Sequence, residues 1–325
     1  MGRLTSPRAS RSMTRMRIVV MGSGGTGGYF GAKLARSGED VTFVARGAHL
    51  AALRASGLRI KSSAEGEWTV RAPAVERLDG TPPADLVLFC VKSFDTEEAA
   101  ALIRPVVGPD TGVLSIQNGV DNEEKLERVL GAGHVLGGAA RVFATIEAPG
   151  VITHTFGGHL TFGEMDGRET PRAQAFLAAC RKASIPAELV SDVIRALWEK
   201  YVFLTTHAGM TALTRCPAGV LRALPEVREL YRRIVSEIVA VGRAAGAPVD
   251  DGQLDQGMKF LDGVAPNAYS SLHHDLTHGK RLELEALHGH VVRLAERHGV
   301  AVPTVFAIYA ALRPFRDGAP AAPTS

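Results

Sequence analysis

Two stretches of this sequence hold residue types that can do chemistry. The first is Gly22-Ser23-Gly24-Gly25-Thr26-Gly27, directly after the apolar run Ile18-Val19-Val20-Met21. Gly22, Gly24 and Gly27 complete a G-x-G-x-x-G pattern. The first glycine permits a tight turn, the second lets the backbone approach a pyrophosphate, and the third lets a helix pack close to a sheet. The helix that follows would turn its N-terminus toward the phosphate charge. The second stretch is Leu197-Trp198-Glu199-Lys200, inside an apolar helical segment opened by Ser191 or Asp192 as N-cap. Helical spacing puts Lys200 on one face with Ala196, Phe203, Leu204 and His207. A lysine there either snorkels to the surface or serves a cleft. In a cleft, burial lowers its pKa toward the range useful for proton transfer. The ammonium can then protonate a carbonyl oxygen as charge develops on it.

A glycine-rich turn carries weight only between a strand and a helix. Here a helix is expected over about Thr26 to Ser37, stopped by Gly38, with a strand at Val41-Thr-Phe-Val-Ala45. That is a βαβ unit of dinucleotide-binding length. The second strand runs into Arg46 where an NAD-preferring site usually has Asp or Glu for the ribose hydroxyls. A guanidinium at Arg46 suits a 2′-phosphate, so NADP(H) is the expected cofactor; the bland alternative is a solvated strand end.

Further strands are expected at Asp85–Val91 and Gly112–Ile116, with a helix at Thr96–Val107 between them. This alternation means a parallel sheet with helices on both faces. A more antiparallel stretch, roughly Val135 to Phe162, should extend the sheet's edge. From about Asp192 the pattern is helical almost without break, with stripes such as Leu284, Leu287, Val291, Leu294 and His298. The expected class is α/β, an N-terminal Rossmann dinucleotide-binding domain (17–190) followed by an all-helical C-terminal domain (191–316). A disordered basic tail (1–16) and a loose Ala/Pro-rich tail (317–325) should flank them.

With 325 residues, 46% hydrophobic and 22% charged, the chain can bury a large core across two domains. A net charge of +3 without a long basic run beyond residue 16 gives no reason to expect a nucleic-acid partner. No apolar stretch approaches the roughly 18 residues of a membrane helix. Cys90, Cys180 and Cys216 lack metal-type spacing, and a reduced, cytoplasmic setting fits them. His274-x-x-x-His278 has the spacing of a helical metal pair but no third ligand, so no metal is expected.

Ligands of such sheets bind beyond the carboxyl ends of the strands. Val91 leads there into Lys92-Ser93, and Ile116 into Gln117-Asn118-Gly119. Lys92 suits cofactor phosphate or ribose. Asn118 suits the nicotinamide side, or it is simply the Asn of a tight Asn-Gly turn.

Taken together, these motifs resemble the ketopantoate reductase (2-dehydropantoate 2-reductase) family over residues 17 to 315. The resemblance rests on the Gly22–Gly27 turn, Val91-Lys92-Ser93, Gln117-Asn118-Gly119-Val120 and Leu197-Trp198-Glu199-Lys200. Thr211-Ala-Leu213, Cys216-Pro217, Ser270-Ser271-Leu-His-His-Asp275 and Glu283-Leu-Glu285 with Gly289 extend it in matching order. It implies hydride transfer from NADPH to the C2 carbonyl of a small 2-oxo acid, with pantoate as the family's product. It also implies Lys200 as general acid, Glu283 hydrogen-bonding the reacting oxygen or holding Lys200 beside the cofactor, and Ser271 on the substrate carboxylate. Lys92, Asn118 and Ala139 or Ala140 would contact the cofactor. Two family asparagines that bind substrate stand here as Leu204 and Ala208, and a third as Ala218. Losing three amides re-aims substrate recognition, so a different 2-oxo acid on the same plan is the alternative, and a non-catalytic NADP-sensing protein a further one. Helical domains of this kind often pair, which makes a homodimer an expectation.

Overall fold

The computed structural model describes residues 15–320. The expectations for residues 1–14 and 321–325 lie outside the described residues.

The N-terminal part alternates strand and helix as the apolar runs require. Its strands are β1 (Arg17–Met21), β2 (Asp40–Val44), β3 (Leu58–Ser62), β4 (Gly66–Val70), β5 (Ala74–Val75), β6 (Leu86–Phe89), β7 (Gly112–Ser115), β8 (Val135–Ala148), β9 (Val151–Glu164) and β10 (Ala187–Leu189). Between them lie α1 (Gly25–Arg36), α2 (Gly47–Ser56), α3 (Thr96–Ile103), α4 (Asn122–Leu130) and α5 (Pro171–Lys182). The helix expected to reach Val107 tightens at Arg104–Val106 into a 3-10 turn around Pro105, whose ring cannot continue an α-helix.

These strands form one sheet in the order β4-β3-β9-β8-β7-β6-β1-β2-β5, with β10 also on β9. β7, β6, β1 and β2 run parallel, and β6 is buried at every residue, as expected for strands covered on both faces. The chain leaves β1 toward β2 and returns to β6 on the other side. The crevice therefore opens between the carboxyl ends of β1 and β6, the topological switch point.

The antiparallel stretch is present as the β8–β9 hairpin, but it is not the sheet's edge. β3 adds parallel to the start of β9, and β4 pairs outside β3. β3 alternates buried Leu58, Ile60 and Ser62 with more exposed Arg59 and Lys61, the period of two of a half-buried strand, whereas β4 is mostly exposed and is held by its antiparallel pairing with β3. The β8–β9 register slips between Arg141 and Val142, and strands bend at such irregularities.

After β10 the chain is helical: α6 (Val193–Thr214), α7 (Ala218–Ala223), α8 (Pro225–Ala244), α9 (Gly252–Gly263), α10 (Ser271–Thr277), a π-helical segment (Glu285–Gly289), α11 (His290–His298) and α12 (Pro303–Leu312). Asp192 caps α6 by accepting from Arg195 N–H. This helix runs through the middle of the second core, with Tyr201, Val202 and Met210 almost fully buried beside Tyr231, Ile234 and Ile238 of α8. The expected stripe holds at Leu284, Leu287, Val291 and Leu294, whereas His298 is exposed in the last turn of α11. The π-helical segment shifts the stripe's phase just after Glu283.

Candidate active site

The glycine-rich turn closes the β1 end of the crevice. Gly22 has φ +95°, and a Cβ there would lie 2.7 Å from Val91 N, so the tight turn admits only glycine. A Cβ on Gly27 would lie 2.2 Å from Gly22 O, so α1 can approach the turn only without one. No atom lies within 4 Å of the Cβ position of Gly24, which leaves open space at the N-terminus of α1. An anionic pyrophosphate fits that cradle, because backbone N–H groups face it and no side chain fills it.

Three positions expected beside the cofactor pack against the sheet. The Gly25 Cβ position lies 1.9 Å from Ala144 O, so its missing side chain makes room for β8. Ser23 is buried and its Oγ donates to Val44 O at 2.9 Å, tying the turn to β2 instead of facing the cradle. Ala140 is buried in the sheet's core. Thr26 is half-buried in the first turn of α1. Arg46 stands exposed at the start of α2, with its guanidinium 3.8 Å from the Asp95 carboxylate.

Across the crevice the two halves of the chain meet at a buried carboxylate. Glu283 Oε1 accepts from Ser93 N–H at 3.1 Å, and its Oε2 accepts from Lys92 Nζ at 3.1 Å and Asn118 Nδ2 at 3.3 Å. Lys92 Nζ also donates to Asp275 Oδ2 at 2.8 Å. Burial pushes the Glu283 carboxyl up, but Lys92, Ser93 N–H and Asn118 outweigh it and hold the pKa below the usual range. Desolvation likewise disfavours the Lys92 ammonium, but Glu283 and Asp275 raise it above the usual lysine range. The implied pairing of Glu283 with Lys200 is not the one seen. Among the described residues no ion pair within 4 Å joins them, because Glu283 is spent on Lys92, which reaches it first from the end of β6.

Lys200 is buried, which removes the surface reading. Its Nζ donates to the Gln117 carbonyl at 3.4 Å. Burial lowers its pKa to about 8, the Glu283 and Glu123 carboxylates oppose that fall, and Arg141 adds to it. The loop that receives it is fixed on both sides. Gln117 Nε2 donates to Val91 O at 3.0 Å and Thr96 Oγ1 at 2.8 Å, and Asn122 Nδ2 donates to Asn118 O at 2.9 Å. Gly119 takes φ +109°, a left-handed conformation that favours glycine, in a bend where Asn118 makes its polar contact to Glu283.

Leu204 and Ala208 follow Lys200 by one and two turns of α6, half-buried and buried respectively, and Ala218 is fully buried. Ser271 begins α10 half-buried; its neighbour Ser270 is the cap, accepting from His273 N–H and sharing a 2.7 Å hydrogen bond with Thr211. Among the described residues, no three His, Cys, Asp or Glu side chains are grouped to hold a metal ion.

Sequence reasoning assigned no role to Asp275, Glu123 or Arg141. Asp275 stood inside a quoted motif and could have been found there. Glu123 opens α4 as one of two adjacent acids, and nothing local marks it as the buried one. Burial raises its pKa to about 7, and its Oε2 has no hydrogen-bond partner.

The chain matches the ketopantoate reductase PanE/ApbA family over residues 18–167 and the C-terminal part of that family over residues 192–316. It is 35% identical over 297 residues to the 2-dehydropantoate 2-reductase of Halobacterium salinarum, covering 89% of this chain and 95% of the relative. Identity to the enzyme of that name from Archaeoglobus fulgidus is 33%, over 89% of this chain and 94% of the relative. A PanE/ApbA family ketopantoate reductase structure from Ralstonia eutropha superposes with a TM-score of 0.85 at 32% identity, covering 93% and 98% of the two chains.

Proposed function

Because the chain belongs to the ketopantoate reductase family, we propose that it is an NADPH-dependent reductase of the C2 carbonyl of a small 2-oxo acid. Reduction of ketopantoate to pantoate is the reference reaction. The observation that carries this reading is the buried Lys200 of α6, its pKa lowered to about 8, hydrogen-bonded to the Gln117 loop that also lines the switch-point crevice.

Reduced nicotinamide supplies the hydride when bound. The Gly22–Gly27 turn would hold its pyrophosphate at Gly24, and the exposed Arg46 would take the 2′-phosphate in place of Asp95, its half-buried partner at 3.8 Å. Lys200 gives its proton to the substrate oxygen as the carbon is reduced, and its charge stabilises the oxygen before the proton moves. Asn118 and Lys92, both held by Glu283, orient the cofactor side, and Ser271 faces the carboxylate. Glu283 is a positioning residue in this arrangement.

Pairing of two copies through the helical part belongs to the same reading, supported by the exposed Leu213, Val220 and Leu224 near its α6–α8 end. So does a reducing, cytoplasmic setting, since all three cysteines are unpaired. The non-catalytic alternative needs no buried lysine. A different 2-oxo acid on the same plan gains from Leu204, Ala208 and Ala218.

The test is to incubate the protein with NADPH or NADH and a panel of 2-oxo acids, following loss of the reduced cofactor. Turnover with NADPH preferred supports the proposal. Tight NADPH binding with no 2-oxo acid consumed identifies a sensing protein and ends it.

A further inference from the structure

Beside Lys200 the helical face of the crevice is aromatic and apolar where amides would bind a hydroxylated substrate. Phe203, one turn beyond Lys200 on α6, stacks on Phe260 of α9 with ring centroids 4.5 Å apart and planes 28° apart. His207 meets Phe260 edge-on at 5.4 Å. Burial lowers the His207 pKa to about 4, so at neutral pH it is an uncharged ring. Leu204 and Ala208 complete the same stretch of α6 without a polar atom. Both phenylalanine rings are only half-buried, although a core pair would be covered.

One cation stands over this wall. The Arg141 guanidinium, on β8 at the register slip, lies 6.0 Å from the Phe203 ring centroid. It is exposed and has no ion-pair or hydrogen-bond partner among the described residues. Its charge also reaches Lys200. An unpaired guanidinium, a buried ammonium and an aromatic wall thus converge on one space. A carboxylate, an adjacent carbonyl and a flat apolar group have the matching order.

Resting on the 2-oxo acid reductase reading, we infer that Phe203, Phe260 and Leu204 form a subsite for an aromatic or bulky apolar C2 substituent, with Arg141 joining Ser271 in receiving the carboxylate. The enzyme then reduces aryl 2-oxo acids at least as well as ketopantoate. The hydroxyl of ketopantoate would lose hydrogen bonds to water here and gain none from Leu204 or Ala208, whereas a phenyl ring loses nothing and stacks. The reaction balances as before. C2 gains the hydride of the reduced cofactor, its oxygen gains the Lys200 proton, and a 2-hydroxy acid and oxidised cofactor leave.

The experiment compares kcat/KM for phenylglyoxylate, phenylpyruvate, pyruvate and ketopantoate in the full-length protein, and repeats it in Phe260→Leu, Phe203→Ala and Leu204→Asn. The expected result is an aryl acid equal to or better than ketopantoate. The aryl-to-pyruvate ratio should fall about tenfold or more in Phe260→Leu and Phe203→Ala, and Leu204→Asn should shift preference toward ketopantoate. Calorimetric titration of phenyllactate against lactate, with oxidised cofactor present, gives a binding readout independent of turnover; Phe260→Leu should erase the phenyllactate advantage. Ketopantoate favoured tenfold or more over both aryl acids overturns the subsite while leaving the reductase reading intact. An unchanged aryl-to-pyruvate ratio in both phenylalanine variants overturns it as well. Failure of every 2-oxo acid overturns the reductase reading and the subsite together.

Discussion

Lys92 and Glu283 are 191 residues apart in the chain, yet Lys92 Nζ donates to Glu283 Oε2 over 3.1 Å, at the place where the sheet and the helical half meet. The pair is lopsided: Glu283 is almost fully covered, while two fifths of the Lys92 side chain is exposed. A covered carboxylate needs its cation, whereas Lys92 keeps Asp275 if Glu283 is lost. Glu283→Gln should therefore lower stability by about 1–3 kcal/mol, read by denaturant unfolding. The folded-state pKa of Glu283 is depressed, so its contribution is present above the usual carboxylate range and lost as pH falls through and below it. The wild type should lose stability on acidification over that window, and Glu283→Gln should show a flatter acid limb.

Lys200 acts only as the carbonyl oxygen gains charge, so its removal should lower kcat far more than it raises KM. Lys200→Ala is expected to cost about 10²–10⁴-fold in kcat, with NADPH binding nearly unchanged by titration. Lys200→Arg should rescue little, since a guanidinium keeps its proton near neutral pH. Retention of kcat within about threefold by Lys200→Ala would remove the lysine from the reaction.

The same lysine sets the pH dependence of reduction. Only the ammonium can donate, so kcat should fall as pH rises through about 8. Glu123 is one of the two carboxylates that keep the ammonium from falling further. Glu123→Gln removes that charge, so the descending limb of the kcat profile should move to lower pH while KM changes little. A limb that stays in place would show that the two groups are not coupled.

Arg46 stands where an acid would hold the ribose of NAD. NADPH should bind more tightly than NADH, and Arg46→Ala should narrow the gap by on the order of 1–3 kcal/mol, measured as the ratio of the two dissociation constants. Equal affinities in the wild type would refute the assignment.

Gly25 tests the closeness of β8 to the phosphate turn. With Ala144 O 1.9 Å from the Cβ position, Gly25→Ala must push backbone away from backbone. The expected loss is about 1–3 kcal/mol, seen as a lower Tm. Cofactor affinity should weaken too, because the displaced residue sits in the first turn of α1. Gly24→Ala, with open space around it, should keep its Tm and lose affinity alone.

The sequence by itself determined the local parts of this protein. Ile18–Met21 before Gly22-x-Gly24-x-x-Gly27, and the apolar face of the helix capped by Asp192, are short-range patterns, and chain geometry leaves them few alternatives. Strand ends brought Lys92 and Asn118 forward and a helix face Lys200, while Glu283 came only from the family resemblance. Only the tertiary structure decided how these residues are wired. Lys200 sits on a Gln117 carbonyl 83 residues away, and Glu283 sits on Lys92 instead of Lys200. The same holds for the docking of β3 on β9, which puts the β8–β9 hairpin inside the sheet, and for Glu123, one of two adjacent acids, which packing turns inward. Periodicity fixes which face of an element is apolar, within one or two turns. Which polar atoms meet across a crevice depends on how whole elements dock, and burial then sets their charge.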